Sequence, residues 1–143
     1  MSKKNYKAVN RKPSHAGEIL KHGFIEQYDL PIKMVAELLG ITRQHLSRIL
    51  NGHNPVTPDI AIRLEVLTQT PASQWLSIQS AYDAYMCSQE KSFKEYKEAL
   101  NTWSSASLRL NSKEREKDSK AQKLFVNVSK CAKQFNYKKA STG

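Results

Sequence analysis

The feature that most constrains the fold is residues 32–51, in which two short amphipathic segments flank a turn at Gly40. Helices joined by so short a turn cross closely, and the crossing requires a small residue and a turn residue that tolerates positive φ. Ala36 and Gly40 meet these requirements. The stretch therefore predicts a helix-turn-helix, and it favours DNA binding over a helical hairpin packed for stability alone. The residues predicted to face inward between the helices are Val35, Leu39, Ile41, Leu46 and Ile49.

The rest of the chain is also expected to be helical. Apolar residues recur at spacings of three and four over most of residues 15–135, and no alternating run flanked by hairpin turns is present. The predicted fold class is all-α, with a five-helix repressor-like helix-turn-helix domain and a long helical C-terminal extension. The expected helices are 16–27 (burying Ile19, Leu20 and Phe24, capped by Ser14 or His15), 32–39, a third from the cap Thr42 to Leu50, and two that begin at Thr57-Pro58 and Thr70-Pro71.

The charge of the chain points to a polyanionic partner. Its 143 residues contain 23 Lys and Arg against 13 Asp and Glu, which gives a net charge of +10. The excess lies at the ends, because residues 31–89 hold as many acidic as basic side chains. Lysines that neutralise phosphates release condensed counterions, so nucleic acid is the first partner to consider. The alternative is that the terminal lysines only solubilise flexible tails.

Catalysis, cofactors and membrane insertion are not expected. The chain has no HExxH, phosphate loop or Gly-rich dinucleotide turn, and its scattered His and Cys residues do not form a metal-site pattern. Cys87 and Cys131 cannot form a disulfide framework, and Cys87 is better explained as an apolar filler than as a nucleophile. Without a signal peptide or an apolar run long enough to span a bilayer, the expected location is the cytoplasm.

The second helix of the motif carries the candidate DNA-reading side chains. Such a helix enters the major groove by its N-terminal half. Arg43 or Arg48 could bind guanine O6 and N7, and Gln44 could pair with adenine N6 and N7. A solvated polar face is the alternative for any one of these residues. The candidates are Arg43, Gln44, His45, Ser47 and Arg48 on the helix, Thr42 for a phosphate or a thymine methyl, and Asn51 and Asn54 as phosphate donors or loop formers.

Several stretches resemble the HigA antitoxins of bacterial toxin-antitoxin modules, within the phage-repressor-like (XRE/Cro) helix-turn-helix class. The resemblance covers about residues 13–86 and is carried by 15–20, 36–40, 47–52, 55–64 and, most specifically, 70–83. It implies a homodimer that binds a palindromic operator in its own promoter and neutralises a small mRNA-cleaving toxin. The last stretch is the helix that the resemblance assigns to dimer or partner contacts, with Trp75, Ile78, Gln79 and Tyr82 on one face.

The chain departs from that family pattern at three points. Ala16 stands where the family usually has proline. Ile32 replaces a glutamine that donates to phosphate in this class, so Lys33 is the candidate to take over that contact. The chain is also basic, whereas many antitoxins are acidic. Two alternatives therefore stay open: a stand-alone phage- or plasmid-type repressor without a toxin, and a nucleic-acid chaperone or RNA binder that acts through the basic tail.

The sequence predicts three regions: a flexible basic arm (1–12), the helix-turn-helix and dimerisation domain (13–86), and a basic helical extension (87–143). A heptad pattern from Tyr82 to Trp103 predicts one long helix from Pro71 to about Trp103, paired across a two-fold axis or folded back on its own core. The serines at 104, 105 and 107 predict a break, and residues 111–120 a mobile linker. A final amphipathic helix would dock on a core or bind a partner; its apolar stripe is Ala121, Leu124, Phe125, Val128, Cys131, Ala132 and Phe135.

Overall fold

The computed structural model describes residues 11–142 of the chain, and side chains from residue 11 to residue 136. The predicted arm lies outside the described residues except for Arg11 and Lys12. Throughout the described part the regular structure is helical, which confirms the all-α class. The helices are α1 (Ala16–Leu20, continued by a π-helical turn, Lys21–Ile25), α2 (Ile32–Leu39), α3 (Arg43–Leu50), α4 (Pro58–Thr68), α5 (Ala72–Ser88), α6 (Lys91–Ser107), α7 (Ser112–Lys117) and α8 (Ser119–Thr142).

The chain forms two compact units, and the boundary between them falls inside α5, between Tyr85 and Met86. The first unit is the predicted five-helix domain. Its core is built from the inward faces of α1 to α5 together with Val56 of the loop before α4. The largest side chains that are almost completely excluded from solvent in this core are Leu20, Val35, Leu39, Leu46, Ile49 and Leu64.

The helix-turn-helix forms as the sequence predicts. Gly40 ends α2 with φ of +67°, a left-handed conformation that glycine adopts without a Cβ penalty. The Ile41 N–H then donates to the Ala36 carbonyl at 3.1 Å, which closes the turn. Thr42 caps α3, because its hydroxyl accepts the His45 N–H at 3.0 Å. Both helices have the predicted bounds.

The first helix differs from its prediction. It loses α-helical geometry after Leu20 and ends at Ile25 rather than Gln27. The π-helical turn bonds residues five apart, as in the 2.9 Å bond from the Glu26 N–H to the Lys21 carbonyl, and so it advances the inward face by one residue. Ile25 is therefore buried in place of Phe24, which is only half-buried, and Ile19 is 38% exposed.

The fourth helix begins at the predicted cap, but the fifth does not. Thr57 accepts the Ile60 N–H, and Pro58 occupies the first helical position. The helix α5 begins at Ala72, and its first N–H donates to the carboxylate of Glu65 at 2.6 Å. The sequence predicts Thr70 as the cap of this helix, but in the structure Glu65 of α4 supplies the side-chain acceptor.

The second unit overturns the prediction of one long helix. The helical chain is interrupted at Gln89 and Glu90, and Glu90 has an extended ψ of 133°. After the break, α6 lies antiparallel to α8, with the Phe93 and Tyr96 rings 5.7 and 5.9 Å from the Phe135 ring. The aromatic residues of the heptad pattern thus fold back within the same chain. The spacing of three and four between apolar residues continues across the break, so the sequence pattern does not reveal it.

The segment between α6 and α8 was also predicted wrongly. Helix α6 continues through the serine cluster to Ser107, which is fully buried. The expected linker contains α7, which starts with a capping box: Asn111 accepts the Glu114 N–H at 2.9 Å, and Glu114 accepts the Asn111 N–H at 3.0 Å. Arg115 of α7 donates to the Ser107 carbonyl at 3.0 Å and so holds this helix on the end of α6.

The predicted apolar stripe of α8 is confirmed for every residue except one. Ala121 is buried. Five further stripe residues are half-buried, namely Leu124, Val128, Cys131, Ala132 and Phe135. Phe125 is 56% exposed, because it lies at the margin of the stripe and not at its centre.

One contact in the first unit leaves no space for a side chain. Gly17 of α1 is buried where α1 meets the end of α3, and a Cβ added there would lie 1.8 Å from the Ile49 carbonyl oxygen. The obstacle is backbone and cannot rotate away. Only glycine therefore allows α1 to lie this close to α3.

We expect Gly17→Ala to lower the free energy of unfolding by roughly 1–3 kcal/mol, because the added methyl forces α1 and α3 apart. Gly23→Ala is the matched control, since a Cβ at Gly23 would meet nothing within 4 Å. Urea unfolding followed by circular dichroism compares the two variants. Equal losses in both would show that the contact between α1 and α3 does not limit stability.

Candidate nucleic-acid interface

Helix α3 presents its polar side chains to solvent because its apolar side is fixed in the core. Leu46, Ile49 and Leu50 are buried on one side. Arg43 and Gln44 are exposed in the first turn, at the end that would enter a major groove. Within the described part of the chain, neither of these two side chains makes a hydrogen bond or an ion pair. They are thus available for donors and acceptors on base edges.

Other candidates on and before α3 are less exposed or have structural partners. Thr42 is exposed, but its hydroxyl already accepts the His45 N–H. His45 and Ser47 are half-buried. The Asn51 amide donates to the Ser47 hydroxyl at 3.4 Å. These residues shape α3 and its end, whether or not they also contact a ligand.

Arg48 is exposed and linked to the loop that follows α3. Its Nε donates to the Asn54 side-chain oxygen at 3.4 Å, and its carbonyl accepts the His53 N–H at 2.8 Å. Asn54 is half-buried and accepts this bond within the loop, and its assignment as a phosphate donor or a loop former stays a prediction. Lys33 is exposed in the first turn of α2, as a phosphate contact requires.

Sequence reasoning missed Arg63, which supports the turn of the motif from α4. Its Nη1 donates to the Leu39 carbonyl at 2.6 Å, and its other terminal nitrogen lies 3.2 Å from the Asp59 carboxylate. The Leu39 carbonyl is one of those that the end of α2 leaves without a helical partner. The spacing of four residues between Asp59 and Arg63 predicts an ion pair. It does not predict the contact of Arg63 with Leu39, which lies 24 positions away in sequence.

The face of α5 assigned to dimer contacts packs within its own unit. Trp75 is buried, and its indole N–H donates to the Thr68 hydroxyl at 3.3 Å. Gln79 is also buried; its side-chain oxygen accepts the Val56 N–H at 3.0 Å and so fixes the loop between α3 and α4. Ile78 and Tyr82 are half-buried. A dimer role for this face stays a prediction.

His15 connects three segments around the end of α3. It caps α1, because its Nδ1 accepts the Gly17 N–H at 2.9 Å. Its ring meets the Tyr82 ring of α5 edge-on at 4.9 Å, and a Cβ at Gly52 would lie 3.8 Å from it. Burial lowers the pKa of His15, and the carboxylates of Asp83 and Glu18 only partly offset this effect. A neutral ring suits the cap, because a protonated Nδ1 cannot accept a hydrogen bond.

The described part of the chain holds neither a metal-site cluster nor a helix that could span a membrane. No group of three or more His, Cys, Asp and Glu side chains converges there as a metal site would require. No described helix combines the length and the apolar character needed to cross a bilayer. Cys87 and Cys131 are free thiols, both half-buried.

Comparison with known proteins agrees with this geometry. A family model described as "Helix-turn-helix" matches residues 24–75. The Escherichia coli K12 regulator YbaQ is 35% identical over 79 residues, which cover 55% of this chain and 70% of YbaQ. Antitoxin HigA-1 of Vibrio cholerae is 34% identical over 77 residues, covering 54% of this chain and 72% of HigA-1. The structure of Pseudomonas aeruginosa antitoxin HigA with the higBA promoter aligns with a TM-score of 0.52 at 29% identity, over 53% of this chain and 83% of that one.

The fold and the exposed face of α3 define an XRE-type helix-turn-helix protein. The chain belongs to this helix-turn-helix family, in the group whose members include the HigA antitoxins. The relatives named above match little more than half of the chain, so its remainder is not accounted for by this likeness.

We expect the stability of the first unit to fall as the pH drops below the ordinary histidine pKa of 6.5. The unfolded state then binds a proton at His15 that the folded state, with its lowered pKa, does not yet bind. Above that pH the stabilisation is fully present. His15→Asn keeps a cap acceptor but cannot titrate, so its urea midpoint should change less between about pH 7.5 and about pH 5.5 than that of the wild type. Equal changes would exclude His15 as the source.

Proposed function

We propose that the protein is a HigA-type antitoxin that binds operator DNA through α3, represses its own operon and neutralises a cognate mRNA-cleaving toxin. The observation that carries the DNA half is the exposure of Arg43 and Gln44, without intramolecular partners, in the first turn of a helix fixed by core contacts. A relative in this group has been solved with its promoter DNA, which supports the same role here.

In this proposal the polar residues divide into two roles. Arg43 and Gln44 read base edges, with Arg48 at the far end of the helix as a third reader. Lys33, Thr42 and Asn51 hold phosphates on either side of the groove, while His45, Ser47 and Asn54 shape the surface between them. Phosphate contacts set the position of the helix, and base contacts set the sequence preference.

We further propose that the protein acts as a homodimer on a palindromic operator. A two-fold dimer of helix-turn-helix units places two reading helices about one DNA turn apart, which matches a palindrome. Trp75 and Gln79 are committed to their own unit, so the accessible parts of Ile78 and Tyr82 are the portions of this face that remain for a partner.

A stand-alone repressor without a toxin is the second candidate. Two observations favour it: YbaQ is described as an uncharacterised HTH-type transcriptional regulator and not as an antitoxin, and this chain carries a net charge of +10. A strongly basic antitoxin gains no long-range attraction toward a basic toxin. Operator binding is common to both candidates, so toxin neutralisation is the property that separates them.

We expect Arg43→Ala and Gln44→Ala each to reduce the preference for the protein's own upstream sequence over scrambled duplex by about 1–3 kcal/mol, or roughly 5- to 150-fold. Lys33→Ala should instead weaken binding to both duplexes alike and lower the salt slope by about 1. Fluorescence anisotropy over a range of salt concentrations measures both quantities. Arg109→Ala and Gln27→Ala, at exposed positions that do not belong to α3, are the matched controls. Equal losses on both duplexes for Arg43 and Gln44 would contradict base reading.

We expect co-expression of the protein to restore growth to cells that produce the toxic product of a neighbouring short reading frame. Arg43→Ala should still protect these cells while it relieves repression of a reporter under the upstream promoter, because the toxin contact does not require DNA reading. If the wild-type protein fails to protect the cells although it still represses the reporter, the antitoxin role is excluded and the stand-alone repressor remains.

A further inference from the structure

The two long helices of the second unit carry their charge differently. Helix α8 contains six lysines and neither Asp nor Glu in its 24 residues. Helix α6 has Lys91, Lys94 and Lys97, but Glu95 and Glu98 alternate with them. At the spacings of three and four found on α6, neighbouring opposite charges offset each other. The positive charge of α8 has no such compensation along its own helix.

The lysines of α8 face away from the helix on which it packs. Phe135 and the rest of the apolar stripe lie toward α6, whereas Lys123, Lys130 and Lys133 are exposed. Lys123 and Lys130 are two turns apart, or about 10 Å along the axis, and Lys133 lies one turn beyond Lys130. None of these three lysines forms an ion pair with a residue in the described part of the chain.

The same outward surface contains one large exposed aliphatic side chain. Val126 is 66% exposed and lies three residues after Lys123 and four before Lys130, so it shares their face. A helix that binds at a membrane surface needs a broad apolar face for the lipid. Here most of the apolar face is already used against α6, and what remains is a row of lysines around Val126, with Phe125 at the margin of the stripe. That surface fits a phosphate backbone better than a bilayer.

We propose that the outward face of α8, formed by Lys123, Val126, Lys130 and Lys133, is a second DNA-contacting surface that binds the phosphate backbone without sequence preference. This inference rests on the proposed function, because operator binding by α3 brings the second unit to the same duplex at a high effective concentration. Each phosphate that such a lysine neutralises releases counterions and adds about 0.9 to the salt slope.

The test uses the full chain with Lys123, Lys130 and Lys133 all changed to Gln. The matched control changes Lys91, Lys94 and Lys97 to Gln, which removes the same charge from exposed positions on α6. The α8 variant should lower the salt slope by about 2–3 and weaken binding to operator and scrambled duplex by the same factor, at least about tenfold. The operator preference should not change. The α6 variant should shift the slope by less than about 1.

A second measurement varies the length of the duplex. Wild-type affinity should rise when the operator is extended by about 10 and then about 20 base pairs of unrelated flank, since the added phosphates give α8 a site. The α8 variant should gain less from the same extensions than the α6 variant. Circular dichroism and urea unfolding of both variants verify that the second unit remains folded.

The outcomes separate the two claims. If both triple variants bind DNA as the wild type does while the operator preference persists, the α8 surface is overturned and the proposed function stands. If the wild type shows no operator preference, the proposed function fails, whatever the lysines do. If the α8 variant binds DNA normally but no longer protects against the toxin, the face serves an acidic patch on a protein, and the inference is also overturned.

Discussion

The backbone contact between Gly17 and the Ile49 carbonyl is the constraint on which the arrangement of the first unit depends. It allows the start of α1 to lie against the end of α3 with nothing but a hydrogen atom between them. His15 is therefore brought beside Gly52 in the loop that leaves α3 and against Tyr82 of α5. One short segment thus fixes the end of α3, the loop after it and the helix that covers the core.

Polar bonds over long sequence separations hold the segments on both flanks of α3. Arg63 reaches from α4 to the Leu39 carbonyl just before the turn, and Gln79 reaches from α5 to the Val56 N–H in the loop after α3. Both are bonds between a side chain and a buried or half-buried backbone group, which loses most when its partner is removed. Because these bonds fix both flanks of α3, Arg43 and Gln44 can point to solvent without contributing to the fold.

Local signals accounted for the parts of the fold that the sequence predicted. The left-handed cap at Gly40 and the hydroxyl cap at Thr42 each depend on nearby backbone, so one sequence reveals them. The π-helical turn at Lys21–Ile25 was missed because its period of five is not visible among spacings of three and four. The break at Gln89 was missed for the related reason that the apolar pattern continued across it. Helix α7 had a local signal, the Asn111 capping box, which its high charge obscured.

The exposed side of α3 could be predicted from helical phase, but the roles of Arg63 and Gln79 depend on contacts more than twenty residues away and leave no trace in a single sequence.

The charge of the chain is distributed unevenly along the sequence. Residues 31–89, which include α3, contain equal numbers of acidic and basic side chains, so this region attracts any duplex only weakly. Helix α3 itself carries Arg43 and Arg48 and no acidic residue, so its charge is local, whereas non-specific affinity comes almost entirely from the number of phosphate contacts. Because much of the basic excess lies in residues 90–143, the lysines proposed to contact DNA on α8 would raise affinity without further charge on α3, where the proposed base contacts lie.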